Sequence, residues 1–187
     1  MFNKGKKIEL NFVGIGAPRC GTTWLYKSLQ EHPEICMCEI KDINFFRDAD
    51  KDWRDLNKYS KYFECKDNQI TGEFSAGYFS DEESRKRLKK LFPNIKIILS
   101  IREPVTWAVS AYLNNIKHKD KVENIDKKIQ KKYDQPVNYY SKNLEQWIEF
   151  FSEEQIHIIV FEKIKSEPKQ VLKNLYNFLG VNSDFTP

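Results

Sequence analysis

The segment Phe12-Val13-Gly14-Ile15-Gly16-Ala17-Pro18-Arg19-Cys20-Gly21-Thr22-Thr23-Trp24-Leu25 carries an apolar run into a turn of small residues and out into a helical pattern. A turn of this kind cradles an oxyanion: Gly21 lets the backbone approach closely, the amides from Arg19 to Thr23 can point inward, and a helix N-terminus adds positive potential. Arg19 adds a guanidinium, and Thr22 and Thr23 add hydroxyl donors. Glycines also occur in purely structural strand-to-helix turns, and that plainer reading stays open at this point. Gly16 to Thr23 has the spacing of G-x-x-x-x-G-K-[ST], but Thr22 stands where the lysine belongs. A nucleoside triphosphate needs that lysine on its β- and γ-phosphates and a strand-end aspartate for magnesium. The candidate strand ends here, Ser100-Ile101-Arg102-Glu103 and Phe161-Glu162, offer no such aspartate. A ligand with one phosphate-based group at the loop, bound by arginine and amides without metal, fits better than ATP.

A second strand-to-helix junction, Ile97 to Tyr112, sets Arg102 at the carboxyl end of a strand, where ligands of open α/β sheets bind. Ser110 follows two helical turns on and can add a hydroxyl to the same anion. The alternative for Arg102 is a structural ion pair with Glu103 or another carboxylate.

To bring the two junctions together the chain needs a parallel sheet. Apolar periodicity gives strands near 9–15, 69–74, 95–101 and 156–161, separated by helical spacing at 22–31, 81–92, 105–117, 138–151 and 167–179. That alternation implies βαβ units and an α/β fold, a P-loop-like three-layer α/β/α arrangement with a central, mostly parallel sheet. Ser80 or Asp81 can cap the second helix, Pro168 suits a first turn, and Gly180 suits a C-terminal cap.

With 187 residues the chain reads as a single domain, and its apolar content of 40% is enough for a sizeable core. The mean hydropathy of −0.66 then reflects charged surface, which excludes disorder and coiled coil as whole-chain readings. Lys and Arg exceed Asp and Glu by 31 to 27, a net charge of +4 that suits an anionic small ligand or acidic acceptor but is too small to argue for nucleic acid. No apolar run approaches membrane-spanning length and no secretory leader is evident, so a soluble, cytoplasmic protein without membrane insertion is expected. Cys20, Cys36, Cys38 and Cys65 form no C-x-x-C pair and have no histidine cluster beside them; free thiols in a reducing compartment are expected. Residues 117–133 are rich in lysine and read as an exposed insertion, either a solvated face or a basic rim that draws in an anion.

Taken together, these motifs resemble the sulfotransferases that use 3′-phosphoadenosine 5′-phosphosulfate (PAPS), and the resemblance runs over nearly the whole chain. Pro18-Arg19-Cys20-Gly21-Thr22-Thr23-Trp24 resembles the family's 5′-phosphosulfate loop, and Ser100-Ile101-Arg102-Glu103-Pro104 through Ser110 its 3′-phosphate site. The resemblance implies that Arg19, with Cys20, Gly21, Thr22 and Thr23, contacts the phosphosulfate, that Arg102 and Ser110 bind the 3′-phosphate, and that Trp24 occupies a position that stacks on adenine in some members. Lys41-Asp42-Ile43-Asn44-Phe45-Phe46 is similar to K-E-x-H-F-F of the heparan-sulfate-type branch and its bacterial relatives. Asp42 stands where that motif has its proposed base and Asn44 where it has histidine. Gly72-Glu73-Phe74-Ser75-Ala76-Gly77-Tyr78-Phe79 is similar to G-E-K-[ST]-P-x-Y-F, with Phe74 replacing the lysine. The chain ends at Asp184-Phe185-Thr186-Pro187, before the segment with which relatives cover the nucleotide, so a truncated or naturally short form is expected.

The implied reaction is an in-line transfer of a sulfuryl group from PAPS to an acceptor hydroxyl, leaving 3′-phosphoadenosine 5′-phosphate (PAP), with no metal required. Asp42 would take the acceptor's proton, and burial in the crevice would make it a stronger base; capping of the next helix or pairing with Lys41 is the alternative, with Glu39 and Glu73 as substitute bases. Arg19 and the loop amides would stabilise the departing phosphate oxygen. The acceptor is a hydroxyl compound, with an anionic saccharide and small alcohols both compatible. His32, His118 and His157 read as structural or solvent-facing, and Phe45, Phe46, Tyr78 and Phe79 as core. The rivals are a P-loop nucleotide kinase and a catalytically inactive PAP-binding domain.

Overall fold

The computed structural model describes residues 8–48, 52–117 and 136–187. Five parallel strands form one sheet: β1 (Phe12–Gly16), β2 (Ile35–Met37), β3 (Ile70–Phe74), β4 (Lys96–Ile101) and β5 (Ile156–Val160), in the spatial order β2-β3-β1-β4-β5. β1 lies centrally, and the chain fills the sheet on one side of it with β2 and β3 before crossing to β4 and β5. The order therefore reverses beside β1, and the ends of β1 and β4 open a crevice of the kind where α/β sheets bind ligands.

Side chains alternate across the sheet, so each strand feeds two cores. Phe12, Phe74, Ile98 and Ile159 pack with Leu25 and Leu29 of α1 (Thr22–Glu31), Ile164 of α6 (Phe161–Ser166) and Leu172 and Leu175 of α7 (Pro168–Leu179). Val13, Ile15, Ile97 and Leu99 pack on the other face with Tyr59 of α2 (Leu56–Ser60), Leu88 of α3 (Glu82–Leu91), Trp107 of α4 (Pro104–Lys117) and Trp147 of α5 (Pro136–Ile148). These are the three layers expected. Two reciprocal pairs lock β1 to β3: Phe12 is in register with Gly72 and Gly14 with Phe74. A Cβ on Gly72 would lie 2.0 Å from the Phe12 ring, and one on Gly14 2.2 Å from the Phe74 ring. Each ring thus fills the volume its partner leaves empty, and full burial of a Phe side chain contributes about 1.5–3 kcal/mol.

The helix ends follow the chemistry of their residues. The Asp81 carboxylate accepts from the Ser84 amide at 2.8 Å to cap α3, Pro168 opens α7, and Gly180 closes it at φ 82°. Glu103 caps α4 by accepting from the Val105 and Thr106 amides at 2.9 and 2.8 Å, bonds that hold its carboxyl below the usual range. β2, α2 and α6 were not expected from the sequence, being three, five and six residues long. Phe161, expected to end a strand, instead begins α6. The lysine-rich stretch lies outside the described residues apart from Lys117, which ends α4.

The expectation of four free thiols is corrected. Cys36 of β2 and Cys65 after α2 form a disulfide that closes a 29-residue separation, while Cys20 and Cys38 are free and buried. The argument for a reducing compartment loses its support with it, since such bonds persist in oxidising surroundings. Loop-closure entropy for this separation gives a stabilisation of about 3–4 kcal/mol. Burial pushes the Cys20 thiol up to about 11 and the Cys38 thiol up to about 12, so neither is a thiolate near neutrality. We expect iodoacetamide to leave the native chain unmodified, to label two cysteines after denaturation alone, and to label all four once reductant is added. Reductant should also lower the unfolding free energy by about 3 kcal/mol in urea titrations; mass spectrometry and the titration check both.

Candidate active site

The cradle after β1 is shaped from behind. The Trp107 indole N–H donates to the Pro18 carbonyl at 2.8 Å, and the Ser100 hydroxyl donates to the Cys20 carbonyl at 2.5 Å. In a trans peptide the N–H points opposite to the C=O. With both carbonyls turned back toward β4 and α4, the Arg19 and Gly21 amides face the other way, into the crevice. The Gly21 carbonyl accepts from the Trp24 and Leu25 amides at 3.0 and 3.1 Å, so α1 starts there and its first amides, at Thr22 and Thr23, project from the helix end. Arg19 and Gly21 both sit at positive φ, 67° and 80°. At Gly21 the positive φ favours glycine, and a Cβ there would also sit tightly, 3.0 Å from Ile164 and Phe161.

A cleft of about 400 Å³ opens over this loop, lined by Pro18, Arg19, Gly21, Thr22, Thr23, Lys41, Asp42, Ala76, Arg102, Ser110 and Phe161. The structure thus brings together seven of the nine residues singled out from the sequence. Arg19 Nε donates to Ser110 Oγ at 3.3 Å, which ties the loop to α4. Arg102 Nε donates to Thr106 Oγ1 at 3.2 Å, and its guanidinium lies 4.5 Å over the Phe161 ring. Ser110 therefore meets Arg19 and not Arg102, with which it was grouped. Among the described residues both arginines hydrogen-bond to neutral hydroxyls, while the Glu103 carboxylate also interacts electrostatically with Arg102.

Two residues stand apart. The Cys20 side chain is buried, its thiol 3.5 Å from both the Pro18 carbonyl and the Tyr140 hydroxyl, so only its backbone belongs to the cradle. Trp24 packs against the core of α1 and α7 and does not line the cleft.

On the opposite wall, Asp42 and Asn44 adopt positive φ, 59° and 51°. The Asp42 amide donates to the Phe74 carbonyl at 2.7 Å, and the Ala76 amide donates to Asp42 Oδ1 at 2.8 Å. Lys41 donates to Asp42 Oδ2, which is the pairing left open from the sequence. The Asp42 side chain is 45% exposed, so the burial expected to strengthen it as a base is not what surrounds it. Of the substitute bases, Glu39 is exposed and Glu73 is fully buried facing Tyr59 and Tyr78; neither lines the cleft. Phe45, Phe46, Tyr78 and Phe79 are core. His32 is buried, with Nε2 2.9 Å from the Asn182 carbonyl, and His157 stacks on Phe178 at 4.9 Å. His118 lies outside the described residues. Sequence reasoning named Lys41 only as the neighbour and pairing partner of Asp42, and gave no site role to Phe161, whose signal was its place at a strand's carboxyl end.

A parallel α/β sheet with a strand-to-helix loop and two arginines at its switch point defines a domain of P-loop-like architecture. Residues 12–185 match the family model described as Sulfotransferase domain, and the chain belongs to that family. It is similar to heparan sulfate glucosamine 3-O-sulfotransferase 5 of Mus musculus, with 29% identity over 89% of this chain and 52% of the relative. It is also similar to bifunctional heparan sulfate N-deacetylase/N-sulfotransferase 4 of Mus musculus, with 30% identity over 93% of this chain and 22% of the relative. The chain thus spans about half, or less, of the curated relatives it matches. Among solved structures, a sulfotransferase from Alicyclobacillus acidocaldarius superposes with a TM-score of 0.84 at 26% identity, covering 96% of this chain and 84% of that one. Mouse sulfotransferase SULT7A1 complexed with PAP gives 0.59 at 17% identity, covering 95% of this chain and 60% of that one, a likeness of fold.

Because the Trp107 indole orients the cradle from behind without lining it, Trp107→Phe should keep the fold by circular dichroism while loosening the loop. The expected result is PAP affinity lowered roughly fivefold to tenfold by calorimetry, about the value of one hydrogen bond.

Proposed function

We propose that this chain transfers a sulfuryl group from PAPS to an acceptor hydroxyl, and that the acceptor is a saccharide. The observation that carries this reading is the order of groups along the sheet edge. Arg102 stands at the end of β4, the amide cradle with Arg19 at the end of β1, and the Lys41–Asp42 pair against the end of β3. A nucleotide with phosphates at two positions and a sulfuryl group beyond the second matches that order, its 3′-phosphate toward Arg102 and its 5′-phosphosulfate over the cradle. Sulfation of a saccharide is supported by the names of the heparan sulfate relatives.

In this reading Arg19 and the inward amides stabilise negative charge on the 5′-phosphate oxygen as it leaves. Asp42 holds the acceptor's proton. Each of its oxygens accepts one bond within the protein and keeps a lone pair free, so the carboxylate can take a hydroxyl proton without first releasing the Ala76 amide. The lack of a lysine at Thr22 disfavours a triphosphate at the cradle.

The deciding test is thermal stabilisation by PAP set against ATP plus magnesium: PAP alone should raise the melting temperature, and stabilisation by ATP plus magnesium alone would overturn the reading. Within it, Arg102→Ala should weaken PAP binding roughly tenfold or more, the value of a charge-assisted bond, with the circular dichroism spectrum unchanged. Asp42→Asn should leave PAP affinity intact while lowering transfer of labelled sulfate to heparan sulfate roughly 10²- to 10⁴-fold.

A further inference from the structure

Position 74 is where the chain departs most from G-E-K-[ST], and the structure gives the physical reason. The Phe74 ring is fully buried over Gly14 in the core of α1 and α7. No cation can stand there without emptying that packing, so the carboxyl end of β3 brings none to the cleft. Of the cations that line the cleft among the described residues, Arg19 and Arg102 are held on the β4 side, by Ser110 and by Thr106 with Phe161. Lys41 alone stands on the β3 side.

Lys41 is also well placed. Its side chain is 18% exposed and its ammonium rests on Asp42 Oδ2. The backbone that carries it is fixed on both sides: the Tyr26 hydroxyl donates to the Cys38 carbonyl at 2.8 Å, the Asp42 amide to the Phe74 carbonyl at 2.7 Å, and the Asn44 amide to Ser75 Oγ at 3.0 Å. An ammonium has three N–H donors and Asp42 takes one, which leaves donors for a second anion in the cleft.

We propose that Lys41 is a catalytic residue that binds the transferring sulfuryl group itself, and that its contact tightens as the proton reaches Asp42. The proposal rests on the sulfuryl-transfer reading above. In the step, the bond from sulfur to the 5′-phosphate oxygen breaks with its electron pair leaving on that oxygen, the bond from sulfur to the acceptor oxygen forms, and the acceptor's proton passes to the Asp42 carboxylate. Protonation removes the charge that holds the Lys41 ammonium, so its attraction turns to the sulfuryl and leaving oxygens while charge accumulates there. Asp42 and Lys41 thereby act as one unit, in which proton acceptance and charge stabilisation occur together.

Calorimetric titration of PAPS and PAP separates this role from a structural one, because the two ligands differ only by the sulfuryl group. Lys41→Met should lower PAPS affinity about tenfold and leave PAP affinity within about twofold, and Lys41→Arg should restore most of the loss. Removing Lys41 also bares the Asp42 carboxylate, so Lys41→Met/Asp42→Asn is compared with Asp42→Asn alone. A selective loss of PAPS that persists in the double variant supports the contact, and recovery to the level of Asp42→Asn overturns it in favour of simple repulsion. An unchanged ratio of the two affinities in Lys41→Met, or a proportional loss of both, also overturns it. If the parent chain binds neither ligand, the sulfuryl-transfer reading fails and the assignment of Lys41 with it; if the parent binds both and the ratio does not move, only Lys41 is wrong.

Discussion

The direction of two peptide groups governs the rest of the site. With the Pro18 and Cys20 carbonyls held by Trp107 and Ser100, the Arg19 and Gly21 amides are turned away from α4 and β4, to the side of the loop on which the cleft opens. That arrangement demands a left-handed residue at Gly21, and the empty volume beside Gly21 lets Phe161 and Ile164 of α6 come within 3.0 Å of where a Cβ would be. Phe161 in turn carries the Arg102 guanidinium on its ring. The loop after β1, the start of α6 and the arginine after β4 therefore form one mechanical unit. Trp107 links it to the opposite core by stacking on Tyr139 at 5.0 Å.

The other wall depends on how closely β3 approaches β1. The Phe12–Gly72 and Gly14–Phe74 exchanges let two rings and two glycines occupy the volume that four ordinary side chains would overfill. That packing sets the end of β3, and Phe74 and Ala76 there hold Asp42 by its amide and carboxylate. Two non-glycine residues at positive φ, Asp42 and Asn44, are tolerated because these bonds over-determine the turn; Asn44 Nδ2 also donates to the Asp42 carbonyl at 2.7 Å. The same packing that positions Asp42 removes the cation from position 74.

What the sequence reveals is what short-range chemistry determines. The two strand-to-helix junctions were legible because glycine, threonine and arginine at fixed offsets express a local backbone requirement, and the capping of α3 and α7 for the same reason. β2, α2 and α6 are too short for a periodic signal, and their stability comes from tertiary packing. The disulfide joins residues brought together only by the path of the chain after β2, which no spacing rule encodes. Cys20 and Trp24 show a further limit: membership of a loop was readable, but which way each side chain turns depends on whether a core lies behind it. Lys41 was legible as the neighbour and pairing partner of Asp42, but not as a group of the cleft until the sheet places both there.

The three cations that line the cleft among the described residues differ in what holds them, and in the proposed reaction that difference would bear on catalysis. Among the described residues Arg19 and Arg102 hydrogen-bond to hydroxyls, neutral acceptors that can yield to an anion at little electrostatic cost. Lys41 rests on a carboxylate, and a charge shared in this way is only partly available to the bound donor. Its availability grows when the carboxylate is neutralised, which the proposed proton transfer to Asp42 would do. Interactions that strengthen along the reaction raise turnover, whereas those made equally throughout only tighten binding. Under the proposed sulfuryl transfer the arrangement would separate two tasks in space: arginines at the ends of β1 and β4 for the nucleotide and its departing oxygen, and a carboxylate-restrained ammonium at the end of β3 for the sulfuryl group.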